Sequence, residues 1–327
     1  MIQQVKKCLC VILLLTLLGL HLTGCANGPA EAEPTEDFTV HLDMNTDFAL
    51  PDSLADGEGK KAKVILLLGQ SNASGASINA YLEKAVGEAQ YARYAQGFDS
   101  VRINYCIDDH NASSGGSFVK VDMTCGANEG FFGPEVGMAE VLSQAYPEET
   151  VFILKYTMSG YSLHHHWLCQ RQRGSIYDAC IRFVQTYMDA LRGNHYDASI
   201  GAICWMQGES DTTEFKASQY LENQTALVSY LREDLAPYAE EGGIYFIDAG
   251  ISNSPYCEPG YPEINEAKLQ FSQLSPMNLY FSTIDAGFTI HKEPEGDPDW
   301  GHYDAMSGLE LGRIFGQYVV RSYECRE

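Results

Sequence analysis

The stretch KVILLLGQSNASG, residues 63–75, holds an unbroken aliphatic run, Val64 to Leu68, that stops at Gly69 in favour of small polar residues. A run this short, without polar alternation, suits a strand buried on both faces of a parallel sheet. Gln70 to Ser74 then occupy the turn at the carboxyl end of that strand. A strand-to-helix turn exposes a hydroxyl, here Ser71, and aims unsatisfied backbone N–H groups at whatever that hydroxyl faces.

The same alternation continues downstream. Strand candidates are Lys63–Leu68, Val101–Tyr105, Val151–Tyr156, Ile200–Trp205, Ile244–Asp248 and Leu279–Ile284. Helix candidates lie at Ile78–Gln96, Glu135–Ala145, Ile176–Leu191, Ser218–Leu235, Glu263–Leu274 and Ala305–Arg321. Short apolar strands separated by helices predict an α/β fold whose mostly parallel sheet is covered by helices on both faces. Pro134 suits a first helical turn, and Asp304 is placed to cap the last helix. Residues 106–132 are rich in Gly and Ser and form a long connection.

Composition excludes several classes. At 45% hydrophobic and 20% charged, the 327 residues are globular, neither disordered nor fibrous. With 44 acidic residues against 21 Lys and Arg, the net charge is −23, and no basic run is present to neutralise a phosphate backbone. Nucleic acid is therefore not an expected partner.

Residues 1–24 read as a secretory leader, with Lys6 and Lys7 ahead of the apolar run Val11 to Leu20. Leu22-Thr23-Gly24-Cys25 has the form of a bacterial lipobox, so cleavage before Cys25 and lipid on its thiol are expected, anchoring the protein at a membrane surface in the cell envelope. Residues 25–60 are acidic and contain Pro, and they read as a tether to a domain at 61–327. Residues 38–50 carry a few apolar positions, which leaves open whether that part packs on the domain. Seven cysteines remain beyond the leader and lipobox; the expected pairs are Cys106–Cys125, Cys169–Cys180 and Cys257–Cys325, with Cys204 free in its apolar strand. No CxxC or HExxH occurs, and neighbouring rings in His164-His165-His166 cannot all face one ion, so no metal or other cofactor is expected.

Four separated motifs carry chemistry. Ser71 lies in Gly69-Gln70-Ser71-Asn72-Ala73, which lacks the last glycine of a nucleophile elbow; a plain polar loop or a phosphate cradle would also fit. Asp299-Trp300-Gly301-His302 places a carboxylate three residues before an imidazole, the pairing that orients a general base; Asp297 and Asp304 flank the same histidine. Trp205-Met206-Gln207-Gly208-Glu209-Ser210-Asp211 brings a primary amide to a strand end, where it can donate to an oxyanion. Phe132-Gly133-Pro134-Glu135 opens a helix with a free N–H expected at Gly133.

Together, GQSNASG, GPE, WMQGESD and DWGH resemble the SGNH-hydrolase superfamily. Within it they are similar to the branch of sialate O-acetylesterase-like domains and the acetylxylan esterases of carbohydrate esterase family 6, over residues 60–322. The resemblance implies a three-layer α/β/α flavodoxin-like fold and a serine esterase that removes O-acetyl groups from carbohydrate without a cofactor. It implies Ser71 as nucleophile, His302 as base and Asp299 as its partner. The Ser71 and Gly133 N–H groups and the Gln207 amide would form the oxyanion hole, with Gln70, Asn72 and Glu209 supporting. Gln207 stands where the wider superfamily has Asn, and Ser159-Gly160-Tyr161 replaces a Gly-Gly-Thr-like turn. Trp300 and Trp167 are candidates to stack on a sugar ring or to pack internally. Rival readings are a lipase or thioesterase on the same scaffold and a glycan-binding lipoprotein without catalysis. Quaternary state is not readable from the sequence.

Overall fold

The computed structural model describes residues 40–51 and 53–326. The leader, Cys25 and the tether up to residue 39, as read from the sequence, lie outside the described residues. The sheet is built from six parallel strands: β1 (Lys61–Gly69), β2 (Phe98–Ile107), β3 (Thr150–Thr157), β4 (Asp197–Met206), β5 (Tyr245–Ala249) and β6 (Asn278–Phe281). Their spatial order is β6-β5-β4-β1-β3-β2, and short antiparallel strands at Ala112–Ser113 and Val119–Val121 add to β2. β1 is central, flanked by β3 and β4, and from Val64 onward it is wholly buried, which is why its sequence shows no polar alternation.

Helices cover both faces. They are α1 (Ser71–Ser74), α2 (Asn79–Val86), α3 (Glu88–Gln96), α4 (Glu135–Ala145), α5 (Ser175–Gly193), α6 (Tyr220–Asp234), α7 (Tyr261–Gln273) and α8 (Ala305–Glu324). Neighbouring residues of one strand point to opposite sheet faces. On β3, the Lys155 side chain reaches Glu135 of α4, while the ring of Tyr156 meets Phe183 of α5 at 5.5 Å. On α8, Gly308, Gly312 and Gly316 form a stripe; a Cβ on Gly312 would sit 1.9 Å from the Pro134 carbonyl oxygen. This close approach seats the start of α8, which follows His302, beside the start of α4.

Three local expectations change. The helix anticipated over 78–96 is two helices, broken at Gly87, whose φ of +81° interrupts the helical backbone. Asp304 does not cap α8: its carboxylate accepts from the Lys292 and Glu293 N–H groups, and Glu293 Oε2 takes the Ala305 N–H at 2.7 Å instead. All seven cysteines among the described residues are free thiols. Cys106 faces Cys180 on the α5 side of the sheet, whereas Cys125 lies beside Glu135 on the α4 side, so the sheet separates the expected partners. Cys257 is buried at the carboxyl end of the sheet, and Cys325 follows α8 at the opposite end. Burial pushes the Cys106 and Cys125 thiols up to about 12, away from disulfide chemistry.

Part of the segment read as tether is instead a strap on the domain. Residues 40–48 alternate between half-buried and exposed, the period of an extended chain with one covered face. Leu42, Met44 and Phe48 pack on the core. The Leu42 N–H donates to Ser175 Oγ at 3.0 Å, the Tyr187 hydroxyl to the Ala49 carbonyl at 2.8 Å, and Phe48 meets Phe183 edge-on at 5.4 Å. Fully buried Phe→Ala changes cost about 3–5 kcal/mol, and Phe48 is half-buried, so Phe48→Ala is expected to lower stability by about 2 kcal/mol in urea unfolding. No loss of unfolding midpoint would mean that the strap does not contribute to the fold.

Candidate active site

The turn after β1 follows from one glycine. Gly69 has φ +143°, and a Cβ there would lie 2.0 Å from the Met206 carbonyl oxygen, so only glycine lets β1 run this close to the end of β4. The Gln70 N–H then donates to that same carbonyl at 2.9 Å, and the Gln70 carbonyl accepts from Ala73 and Ser74, winding the one-turn helix α1. Ser71 heads this turn half-buried. Its hydroxyl and its N–H have no hydrogen-bond partner among the described residues.

The next residue ties this turn to the far end of the chain. Asn72 is buried; its amide donates to Glu209 Oε1 at 2.7 Å and to the Gly301 carbonyl at 3.3 Å, and its oxygen accepts the Tyr303 N–H at 3.1 Å. It therefore grips the backbone on both sides of His302. Ser77 adds a 3.0 Å bond from its hydroxyl to the Tyr303 carbonyl. His302 Nδ1 and Asp299 Oδ2 are 2.6 Å apart, and Asp299 Oδ1 accepts the Gly301 N–H at 2.9 Å. Partial burial alone would raise the Asp299 carboxyl, but the bonds from His302 and Gly301 outweigh it and hold it below its ordinary value. A carboxylate at Nδ1 fixes the proton there and leaves the Nε2 lone pair free. Asp304 is occupied by the backbone of Lys292 and Glu293, so of the flanking acids Asp299 is the one on the imidazole.

Gln207 follows β4 and is fully buried. Its Nε2 donates to Asp211 Oδ2 at 2.6 Å, to Gln70 Oε1 at 3.2 Å and to the Tyr161 carbonyl at 3.4 Å, and its oxygen accepts from the Tyr220 hydroxyl at 2.9 Å. The amide's two protons are thus engaged in the structure. Asp211 Oδ2 also takes the Leu163 N–H at 2.8 Å and Oδ1 the His164 N–H at 3.1 Å, which holds the loop after β3 against the loop after β4. Glu209 is 3% exposed, and burial pushes its carboxyl up; Oε2 has no partner among the described residues.

The Gly133 N–H is not free either: it donates to Glu135 Oε1 at 2.9 Å. Glu135 Oε2 accepts from Lys155 Nζ at 2.8 Å, and Lys155 donates further to the Ser74 and Cys125 carbonyls at 2.8 and 2.9 Å. Both side chains are wholly buried. Lys155 thus holds the end of α1, the 125 loop and the Gly133 turn together. Its signal in the sequence is a lysine inside the apolar strand VFILKY, since such a charge persists in a core only when paired. Asp211 and Tyr220 carried no comparable signal.

The three histidines diverge. His164 is buried and pushed down to about 4 by that burial, with Nδ1 2.9 Å from Asn223 Nδ2; His166 Nδ1 lies 3.1 Å from the donating Ser162 N–H. Trp167 is wholly buried against Trp205, at 4.9 Å between rings, and is no sugar platform, whereas Trp300 is 47% exposed and stacks over His291.

A family model described as carbohydrate esterase, sialic acid-specific acetylesterase, matches residues 61–321. No curated protein sequence matches significantly. Among solved structures, a protein from Arabidopsis thaliana superposes with a TM-score of 0.57 at 15% identity, covering 79% of this chain and 98% of its own. NanS does so with a TM-score of 0.54 at 14% identity, over 83% of this chain and 99% of its own. A carbohydrate acetylesterase from Xanthomonas citri reaches 0.51 at 17% identity, over 79% of this chain and 55% of its own. At these identities the structures show the fold, three layers around a mostly parallel sheet, in agreement with the sequence reading.

Removing one member of a buried ion pair typically costs about 3–5 kcal/mol, because the other charge is left uncompensated. Lys155→Met should lose that much in chemical denaturation, and Lys155→Met with Glu135→Leu should lose less than the single change. A double variant less stable than Lys155→Met would show that the lysine acts through packing rather than charge.

Proposed function

We propose, since this chain belongs to the carbohydrate esterase family of sialic acid-specific acetylesterases, that it removes O-acetyl groups from carbohydrate through a Ser71 acyl-enzyme. The observation that carries the assignment of residues is the grip of Asn72, next to Ser71, on both backbone neighbours of His302. Ser71 Oγ attacks the acetyl carbonyl carbon as its proton passes to His302 Nε2. Asp299, bonded at Nδ1, stabilises the imidazolium. Collapse of the tetrahedral intermediate breaks the bond to the sugar oxygen, which takes the proton from Nε2. A water then repeats the attack on the acyl-enzyme, and acetate leaves. The Ser71 N–H is the ready donor to the oxyanion. The Gly133 N–H and the Gln207 amide join it by giving up Glu135 and the distant Tyr161 carbonyl, respectively.

Ser71→Ala and His302→Ala should each lower kcat on 4-nitrophenyl acetate by at least about 10³-fold, and Asp299→Asn by about 10²–10⁴-fold, with unchanged unfolding midpoints. Full activity in Ser71→Ala sinks the mechanism. Activity rising steeply from acetyl to octanoyl esters would instead favour a lipase or thioesterase.

The leader and Gly24-Cys25 support a second element of the reading: attachment to the outer face of a bacterial membrane through lipid on Cys25. Wild-type protein expressed in a bacterium should partition into the detergent phase of Triton X-114, and Cys25→Ala into the aqueous phase. Equal partition of the two would rule the anchor out.

A further inference from the structure

Beside the Ser71 turn, at the carboxyl end of β2, lies an open groove of about 790 Å³. It falls within the roughly 300–1,000 Å³ of ordinary small-ligand pockets. Its lining is mostly uncharged and polar, with Tyr105, Asn111, Asn128, Ser113 and Thr124 among its residues and Glu129 its one acidic residue. The Tyr105 hydroxyl and the side-chain amides of Asn111 and Asn128 have no hydrogen-bond partner among the described residues. Unpaired polar groups beside an aromatic ring match a sugar, whose hydroxyls both donate and accept and whose ring face is apolar.

The groove is built onto the catalytic turn. Its floor, residues 126–130, is bonded to that turn: the Ala127 N–H donates to the Gly75 carbonyl at 2.9 Å, and the Gly75 N–H to the Ser71 carbonyl at 3.0 Å. One wall carries His110, whose φ is +73°, after Asp108 and Asp109 at +49° and +52°. The strap holds this strained wall: the Asn45 N–H donates to Asp109 Oδ1 at 2.9 Å, and the His110 ring stacks on Phe48 at 5.3 Å. No Lys or Arg lines the groove, and Glu129 does, with Asp108, Asp109 and Asp122 adjoining in sequence. A sugar carboxylate would meet only negative charge there.

We propose that this groove binds the neutral sugar units flanking the acetylated residue, so that the substrate is an uncharged oligosaccharide chain rather than a sialylated one. The assignment of the acetyl ester to the Ser71 end rests on the deacetylation reading; glycan binding by the groove does not. The loss of one hydrogen bond weakens binding by about three- to tenfold. Two measurements test it on the full mature chain. In the first, xylohexaose, cellohexaose, mannohexaose and 6′-sialyllactose are titrated calorimetrically into Ser71→Ala, which binds without turnover. At least one neutral hexasaccharide should bind and sialyllactose should not; adding Tyr105→Phe or Asn128→Ala should weaken that binding by about fivefold. In the second, the bound glycan is acetylated at two and six residues in length. Wild-type kcat/KM should rise with length, and Tyr105→Phe and Asn128→Ala should abolish the rise through KM while 4-nitrophenyl acetate hydrolysis stays within about twofold. Absence of binding by all neutral glycans, tighter binding of sialyllactose, or affinity unchanged by both substitutions overturns the proposal. Neutral-glycan binding in a chain that hydrolyses no ester would sustain the groove and refute deacetylation alone.

Discussion

Everything the site can do depends on one side chain closing a loop of more than two hundred residues. Asn72 uses both amide protons and its oxygen in doing so, on Glu209, the Gly301 carbonyl and the Tyr303 N–H. Position 72 follows Ser71 with no freedom between them, and positions 301 and 303 bracket His302. A side chain with these three bonds therefore sets the hydroxyl's backbone against the imidazole's. A shorter or charged residue would lose a partner inside the protein, where an unmet polar group costs about 1–3 kcal/mol.

That clamp works because its surroundings are rigid, and the rigidity comes from buried charge on both sides of the sheet. Lys155 and Glu135 fasten the α4 side, with three oxygen acceptors on the lysine. Lys268 donates to Asp248 at 2.5 Å, and Gln224 bonds the other oxygen of that carboxylate, fastening the ends of β5, α6 and α7. Desolvation makes such pairs poor sources of net stability. Their directional bonds instead select one register for the loops that leave the carboxyl ends of β1, β3 and β4. Asp211 does the same without a cation, taking N–H groups from two consecutive residues of the β3 loop and one amide from β4.

The strands were readable because burial on both faces leaves a compositional mark: Val64 to Leu68 and Ile200 to Trp205 could hardly be anything else. The Asp299–His302 contact was readable from the spacing of carboxylate and imidazole along the chain, and the turn bearing Ser71 from the strand that ends before it. What escaped was set by partners distant in sequence. Glu293 rather than Asp304 caps the last helix because a loop folds back over it, and nothing local announces that fold. The cysteine pairs failed because closeness along the chain says nothing about which sheet face a side chain occupies. The alternation of residues 40–48 was present in the sequence, but acidic positions between the apolar ones left its packing open.

Bonds within two and four residues of the chain explain why two expected oxyanion donors are found already engaged. Gly133 and Gln207 each place an N–H on a buried carboxylate, Glu135 and Asp211, at 2.9 and 2.6 Å. A free site of this kind is stable because no buried donor is left unmet. Glu135 keeps its Lys155 bond if the Gly133 N–H turns away, and Asp211 keeps its Gln207 bond if that amide gives up only the Tyr161 carbonyl, so neither exchange leaves an isolated charge. A developing oxyanion carries a full charge and competes well with a carboxylate whose charge is already balanced. Both engaged donors can therefore turn to an oxyanion at small cost, Gly133 against a carboxylate that Lys155 still holds and Gln207 against a carbonyl contact of 3.4 Å.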